Sequence, residues 1–175
     1  MASPLPSEHF SLDPIAEARR QWDRRWPGGA TMAAATSIMR AQQIVQAAVD
    51  EALRPFGLTF ARYEALVLLV FSRQGALPMG KMGERLMIHP TSVTNIVDRL
   101  EGQQLVRRLP HEHDRRSTVV EITDAGRNLV AEATDAVVAC GFGLDGLSED
   151  HLEEVTALVR RLRVNSGEVP ADALD

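Results

Sequence analysis

The chain has 175 residues, a length that suits one domain with short tails. Hydrophobic residues make up 45% and charged residues 25%, which excludes a disordered chain, a fibrous repeat and a disulfide scaffold. Nineteen Lys and Arg oppose 24 Asp and Glu, giving a formal net charge of −5. That acidity is segregated. Residues 1–75 hold 8 basic and 7 acidic side chains, residues 76–127 also 8 and 7, and residues 128–175 hold 3 and 10. An acidic chain of this kind still binds nucleic acid if the contact comes from its middle third. No apolar run approaches the length of a membrane span. Met1 to Asp13 lacks a basic start followed by an apolar stretch, so neither a secretory signal nor a membrane partner is expected, and the location is cytoplasmic.

Residues 1–11, with Pro4 and Pro6, read as a loose tail. Asp13-Pro14 reads as an N-cap and first helical residue, opening a helix through Ile15 and Trp22 to Trp26 and Pro27. A second helix is expected from Thr31 to Pro55, with Ile38, Val45, Val49 and Leu53 inward. Thr59 caps a third, from Phe60 to Arg73, with Leu66, Leu69 and Val70 inward. Residues 75–79 are a short extended piece and residues 80–87 a short helix. Ile88-His89-Pro90 is a tight turn into a helix over residues 91–103. Residues 105–109 and 118–122 read as strands around a polar loop, residues 110–117. Thr123 or Asp124 caps a helix over residues 125–139, and Ser148 caps a final one striped by Leu152, Val155, Leu158, Val159 and Leu162. Residues 165–175 read as a tail. The fold class is therefore mainly α with a small β wing (α+β). N-terminal helices in residues 12–57 and C-terminal helices in residues 128–164 are expected to serve dimerisation, on the grounds given below. They flank a winged helix-turn-helix over residues 58–127.

The helix-turn-helix and the strand pair carry the functional reading. A recognition helix needs one apolar face for its own domain and one polar face for the DNA groove. Val93, Ile96, Val97 and Leu100 form the first. Thr91, Ser92, Thr94, Asn95 and Arg99 form the second, where Asn95 suits bidentate bonding to adenine. Asp114-Arg115-Arg116 gives the loop a basic tip suited to a narrow minor groove. Helix, turn, helix, strand, basic loop and strand, in that order, are more specific than any one part. The outer helices leave Ile15, Trp22, Val137, Leu152 and Val159 without a second layer. A two-fold dimer would cover them and set two recognition helices roughly 34 Å apart.

Residues 58–127 resemble the MarR family of winged-helix regulators. The resemblance rests on Leu58-Thr59, Thr91-Ser92-Val93-Thr94, Val97-Asp98-Arg99-Leu100-Glu101, Leu105-Val106-Arg107-Arg108, Asp114-Arg115-Arg116 and the run from Thr118 to Gly126. It implies a homodimeric, sequence-specific repressor, less often an activator, on a pseudo-palindromic double-stranded DNA operator. It places Arg116 in the minor groove, oriented by Asp114. It also implies a small aromatic, carboxylate or acyl effector between the dimer helices and the winged domain.

Arg19-Arg20-Gln21-Trp22 on an extra N-terminal helix resembles the urate-responsive branch. There Trp22 matches the family's Trp, Glu64 stands for its Asp, Ile96 replaces one Arg and Arg108 matches the other. The lost cation argues against urate itself. The candidate effector residues are Trp22, Arg40, Tyr63, Glu64 and Arg108. Packing at the dimer seam remains open for Trp22 and Tyr63, and a cross-interface ion pair for Arg40. Cys140, in an apolar run, reads as a small buried thiol and is misplaced for the peroxide-sensing relatives' mechanism. His111, His113 and Asp114 sketch a zinc site without Cys pairs or helical His spacing to support it. No phosphate-cradling loop or nucleophile elbow marks an enzyme, and no cofactor is called for. The alternatives are a winged-helix protein-interaction module without DNA binding, or a redox- or metal-responsive regulator.

Overall fold

The computed structural model describes residues 12–111 and 117–170. Among the described residues seven α-helices and three strands follow in chain order: α1 (Pro14–Asp23), α2 (Gly29–Leu53), α3 (Phe60–Phe71), β1 (Ala76–Pro78), α4 (Met79–Leu86), α5 (Pro90–Gly102), β2 (Val106–Pro110), β3 (Thr118–Ile122), α6 (Asp124–Ala139) and α7 (Glu149–Asn165). The mainly helical α+β class expected from the sequence is the one observed.

The helix starts show how local chemistry sets the elements. Asp13 Oδ1 accepts from the Ile15 N–H at 2.9 Å, and Pro14 occupies the first turn, where its missing N–H costs nothing. α1 ends at Asp23, earlier than the expected Trp26. The chain turns there, Trp22 and Trp26 pack with ring centroids 5.1 Å apart, and Gly28 takes φ +81° to start α2. Thr59 stands at the N-cap of α3, but its hydroxyl makes no cap bond. The Phe60 N–H turns instead to Asp50 Oδ1 of α2, at 3.4 Å. Thr123 caps α6, with its Oγ1 accepting from Gly126 N at 3.0 Å. Ser148 Oγ does the same for α7 through the His151 N–H.

The extended piece before α4 joins the wing strands in an antiparallel sheet of order β1-β3-β2, with Ala76 opposite Glu121 and Arg108 opposite Val120. One core gathers Val49 and Leu53 of α2, Leu66 and Leu69 of α3, Met82 of α4, Val93, Val97 and Leu100 of α5, Val120 and Ile122 of β3, and Val130 and Val137 of α6. It draws on all three expected segments, and α6 runs through the expected boundary at 127. α6 comes so close to the start of β2 that a Cβ on Gly126 would lie 2.2 Å from the Leu105 carbonyl oxygen.

Three expectations of burial change. Ile38 and Val70 are exposed, because α2 and α3 each turn a second apolar edge away from this core. Val137 needs no partner, since its own chain buries it fully. Cys140 is half-buried rather than buried, at the end of α6, where its Sγ donates to the Val137 carbonyl at 3.1 Å. α1 and α7 bury no residue at all, and Val155, Leu158, Val159 and Leu162 of α7 are exposed. Among the described residues no helix is long and apolar enough to cross a membrane.

Candidate nucleic-acid interface

α4 and α5 meet through a three-residue turn. Met87 adopts φ +55°, uncommon for a residue with a side chain, and the Ile88 N–H closes onto the Gly83 carbonyl at 3.1 Å. His89 then caps α5: its Nδ1 accepts from the Thr91 N–H at 3.2 Å and lies 3.1 Å from Thr91 Oγ1. Nδ1 must therefore be unprotonated for the cap to form.

The two faces of α5 separate as its sequence dictates. Val93, Val97 and Leu100 are buried and Ile96 packs against them half-buried. Thr91, Ser92, Thr94, Asn95 and Arg99 are all exposed. Thr94 Oγ1 donates to the Pro90 carbonyl at 3.2 Å. Among the described residues nothing engages the side chains of Ser92, Asn95 or Arg99, so their donors and acceptors point to solvent. The base of the wing closes through the His111 N–H and the Ser117 carbonyl, at 3.3 Å. The wing tip with Asp114, Arg115 and Arg116, and His113 with it, lies outside the described residues.

The five candidate effector residues are dispersed over different contacts. Trp22 Nε1 donates to the Pro27 carbonyl at 2.9 Å. Arg40, exposed on α2, donates to Gln43 Oε1 at 3.0 Å. Arg108 is held by α5: its guanidinium pairs with Asp98 and Glu101, and its backbone N–H donates to Glu101 Oε1 at 3.1 Å. Partial burial works against the Arg108 charge, but the bonds to Asp98 and Glu101 outweigh it and hold its pKa above the ordinary value. Glu64 is exposed at its edge, yet desolvation by the chain around it pushes its carboxyl pKa up.

Of the five, Tyr63 alone lines a groove of about 430 Å³ between α3 and α6. Its hydroxyl lies 3.1 Å from Thr134 Oγ1. Thr134 spends its own proton on the Val130 carbonyl, at 2.7 Å, so Tyr63 donates. Val67 and Phe71 give the groove an apolar wall, and Arg127 and Asp135 add opposite charges. Sequence reading missed Arg127, Thr134 and Asp135. Their spacing along one helix, at positions i, i+7 and i+8, was the available signal.

A family model described as "MarR family" matches residues 58–118. Sco5413, a MarR family transcriptional regulator from Streptomyces coelicolor, is 53% identical to this chain, with a TM-score of 0.74 over 81% of this chain and 98% of that one. The chain belongs to the MarR family. A second Streptomyces coelicolor member, Sco3205, solved in complex with DNA, shares the fold at 24% identity and a TM-score of 0.72, over 85% of this chain and 93% of its own. The HTH-type transcriptional regulator YhbI of Bacillus subtilis is 32% identical over 92 residues, 53% of this chain, which spans 58% of that protein's length.

Proposed function

We propose that this MarR-family protein is a homodimeric transcriptional repressor that reads a pseudo-palindromic operator through α5 and is released by a small ligand. The observation that carries DNA reading is the division of α5. One face is locked into the core by Val93, Val97 and Leu100, and the other offers Ser92, Asn95 and Arg99, whose side chains nothing engages among the described residues. A rigid helix with free amide, hydroxyl and guanidinium groups is what base-edge and phosphate contact requires. Arg115 and Arg116 of the wing, with Asp114 as orienting partner, complete the proposed contact in the minor groove.

The dimer reading is supported by the exposed apolar side chains of α7 and by Ile38, Met39 and Ile44 of α2. The α3–α6 groove supports the ligand reading. It offers an apolar wall for an aromatic or acyl group and, with Asp135 as the opposing charge, the Arg127 cation for a ligand carboxylate. Release follows only if the ligand binds better to a dimer whose reading helices no longer match the operator spacing.

Asn95→Ala tests the reading face. Its expected effect is loss of about 1–3 kcal/mol of discrimination at one base pair of each half-site, with weaker loss on unrelated DNA. Competition binding against single-base operator variants measures it. Unchanged discrimination at every position would remove Asn95 from the proposed contact.

A further inference from the structure

α5 is an odd helix to bring to DNA. It carries Asp98 and Glu101 against Arg99, one more carboxylate than cation. Asp98 follows Thr94 by four residues and Asn95 by three, so it stands on the same side of the helix as the reading residues. Duplex DNA presents one negative charge per about 1.7 Å of axis, and an uncompensated carboxylate on that side is repelled.

We infer that Arg108 is a positioning residue of the DNA-reading surface, which neutralises Asp98 and Glu101 from the neighbouring strand and so lets an acidic helix approach DNA. This rests on the reading of α5 as the recognition helix. One guanidinium serves both acids: Nη2 donates to Asp98 Oδ1 and Nη1 to Glu101 Oε2. Glu101 is fixed a second time by the Arg108 backbone N–H, at 3.1 Å. Arg108 is the less exposed member of the triad, with 27% of its side chain accessible against 55% for Asp98 and 39% for Glu101. The planar fork suits this task, whereas a lysine offers one point charge for two carboxylates. Arg107 is no substitute. It points to the other side of the sheet and pairs with Glu121 of β3. The same clamp ties β2, which leads to the wing tip, to the reading helix, so strand and helix keep one relative placement.

The test is operator binding by the full chain, followed by fluorescence anisotropy over a series of salt concentrations. Arg108→Met should bind roughly tenfold more weakly at low salt, from like-charge repulsion against the phosphates. The deficit should shrink as salt screens the exposed acids. Combining Arg108→Met with Asp98→Asn and Glu101→Gln should restore affinity to within about threefold of the parent, since the repelling charges are gone. A purely packing role for Arg108 would not be rescued that way. If Arg108→Met unfolds, the pair Asp98→Asn and Glu101→Gln is tested with Arg108 kept, and it should bind at least as tightly as the parent. Parent-like binding by Arg108→Met, no rescue by the neutral triple variant, or weaker binding by the acid-free pair would overturn the inference. Failure of the parent itself to bind any operator would instead overturn the reading of α5.

Discussion

At the first turn of α5 the Thr91 N–H finds its acceptor in a ring nitrogen of His89. A histidine before a proline reads in sequence as part of the turn, because the usual capping residues are Ser, Thr, Asp and Asn. The cap became visible only when the ring was placed. His89→Ala should cost about 1 kcal/mol of stability, and His89→Asn should retain most of it, measured by chemical denaturation. Equal midpoints for His89→Ala and the parent would show that the cap contributes nothing. Glu64 makes a second case. Desolvation raises its folded pKa above the ordinary 4.5, so the fold prefers the neutral carboxyl. Stability from this group is fully present below 4.5 and is lost as pH rises through the folded value. Glu64→Gln should therefore raise the melting temperature at about pH 7, with the gain vanishing near pH 4. A gain of the same size at both pH values would rule out the carboxyl charge as its cause.

At the scale of elements, the order of helices and strands was readable because period and punctuation agreed. Pro14, Pro90, Thr123 and Ser148 each stand where a helix begins or is capped. The two faces of α5 followed from apolar spacing alone. Pairing was less legible. β1 is three residues long, and its place beside β3 depends on long-range register that no local pattern encodes. The α3–α6 groove was equally hidden, because Val67 and Phe71 follow the same helical spacing as core residues. Gly126 marks where packing overrides propensity. Alanine favours a helix by about 1 kcal/mol over glycine, but here its Cβ would press on the Leu105 carbonyl and on Ile122. Gly126→Ala should therefore be destabilising, by about 1–3 kcal/mol, in equilibrium unfolding. A stabilised variant would mean that α6 shifts freely over β2.

For the whole molecule, the sequence showed its charge segregation and its apolar outer helices directly. α7 leaves Leu158 65% exposed and Leu162 53% exposed, which a lone chain would not sustain at no cost. Leu158→Glu should shift the proposed dimer to monomer in sedimentation at micromolar concentration and abolish the proposed operator binding with it. An unaltered dimer would move the interface elsewhere. Effector chemistry was the least legible. Trp22, Glu64 and Arg108 came from resemblance to one branch and Arg40 and Tyr63 from the expected cleft, and the folded chain engages Trp22, Arg40 and Arg108 in other contacts. Ligand sites are assembled from side chains far apart in sequence, so spacing along the chain carries little of them.

In the proposed dimer, two copies of α5 read two half-sites of one DNA site. The decisive experiment is selection of the purified protein against a random double-stranded DNA pool at physiological salt, with the enriched sequences read after several rounds. The expected product is an inverted repeat whose half-sites lie about one helical turn apart. A folded dimer that enriches no sequence, or enriches a single unrepeated element, would overturn paired reading by α5.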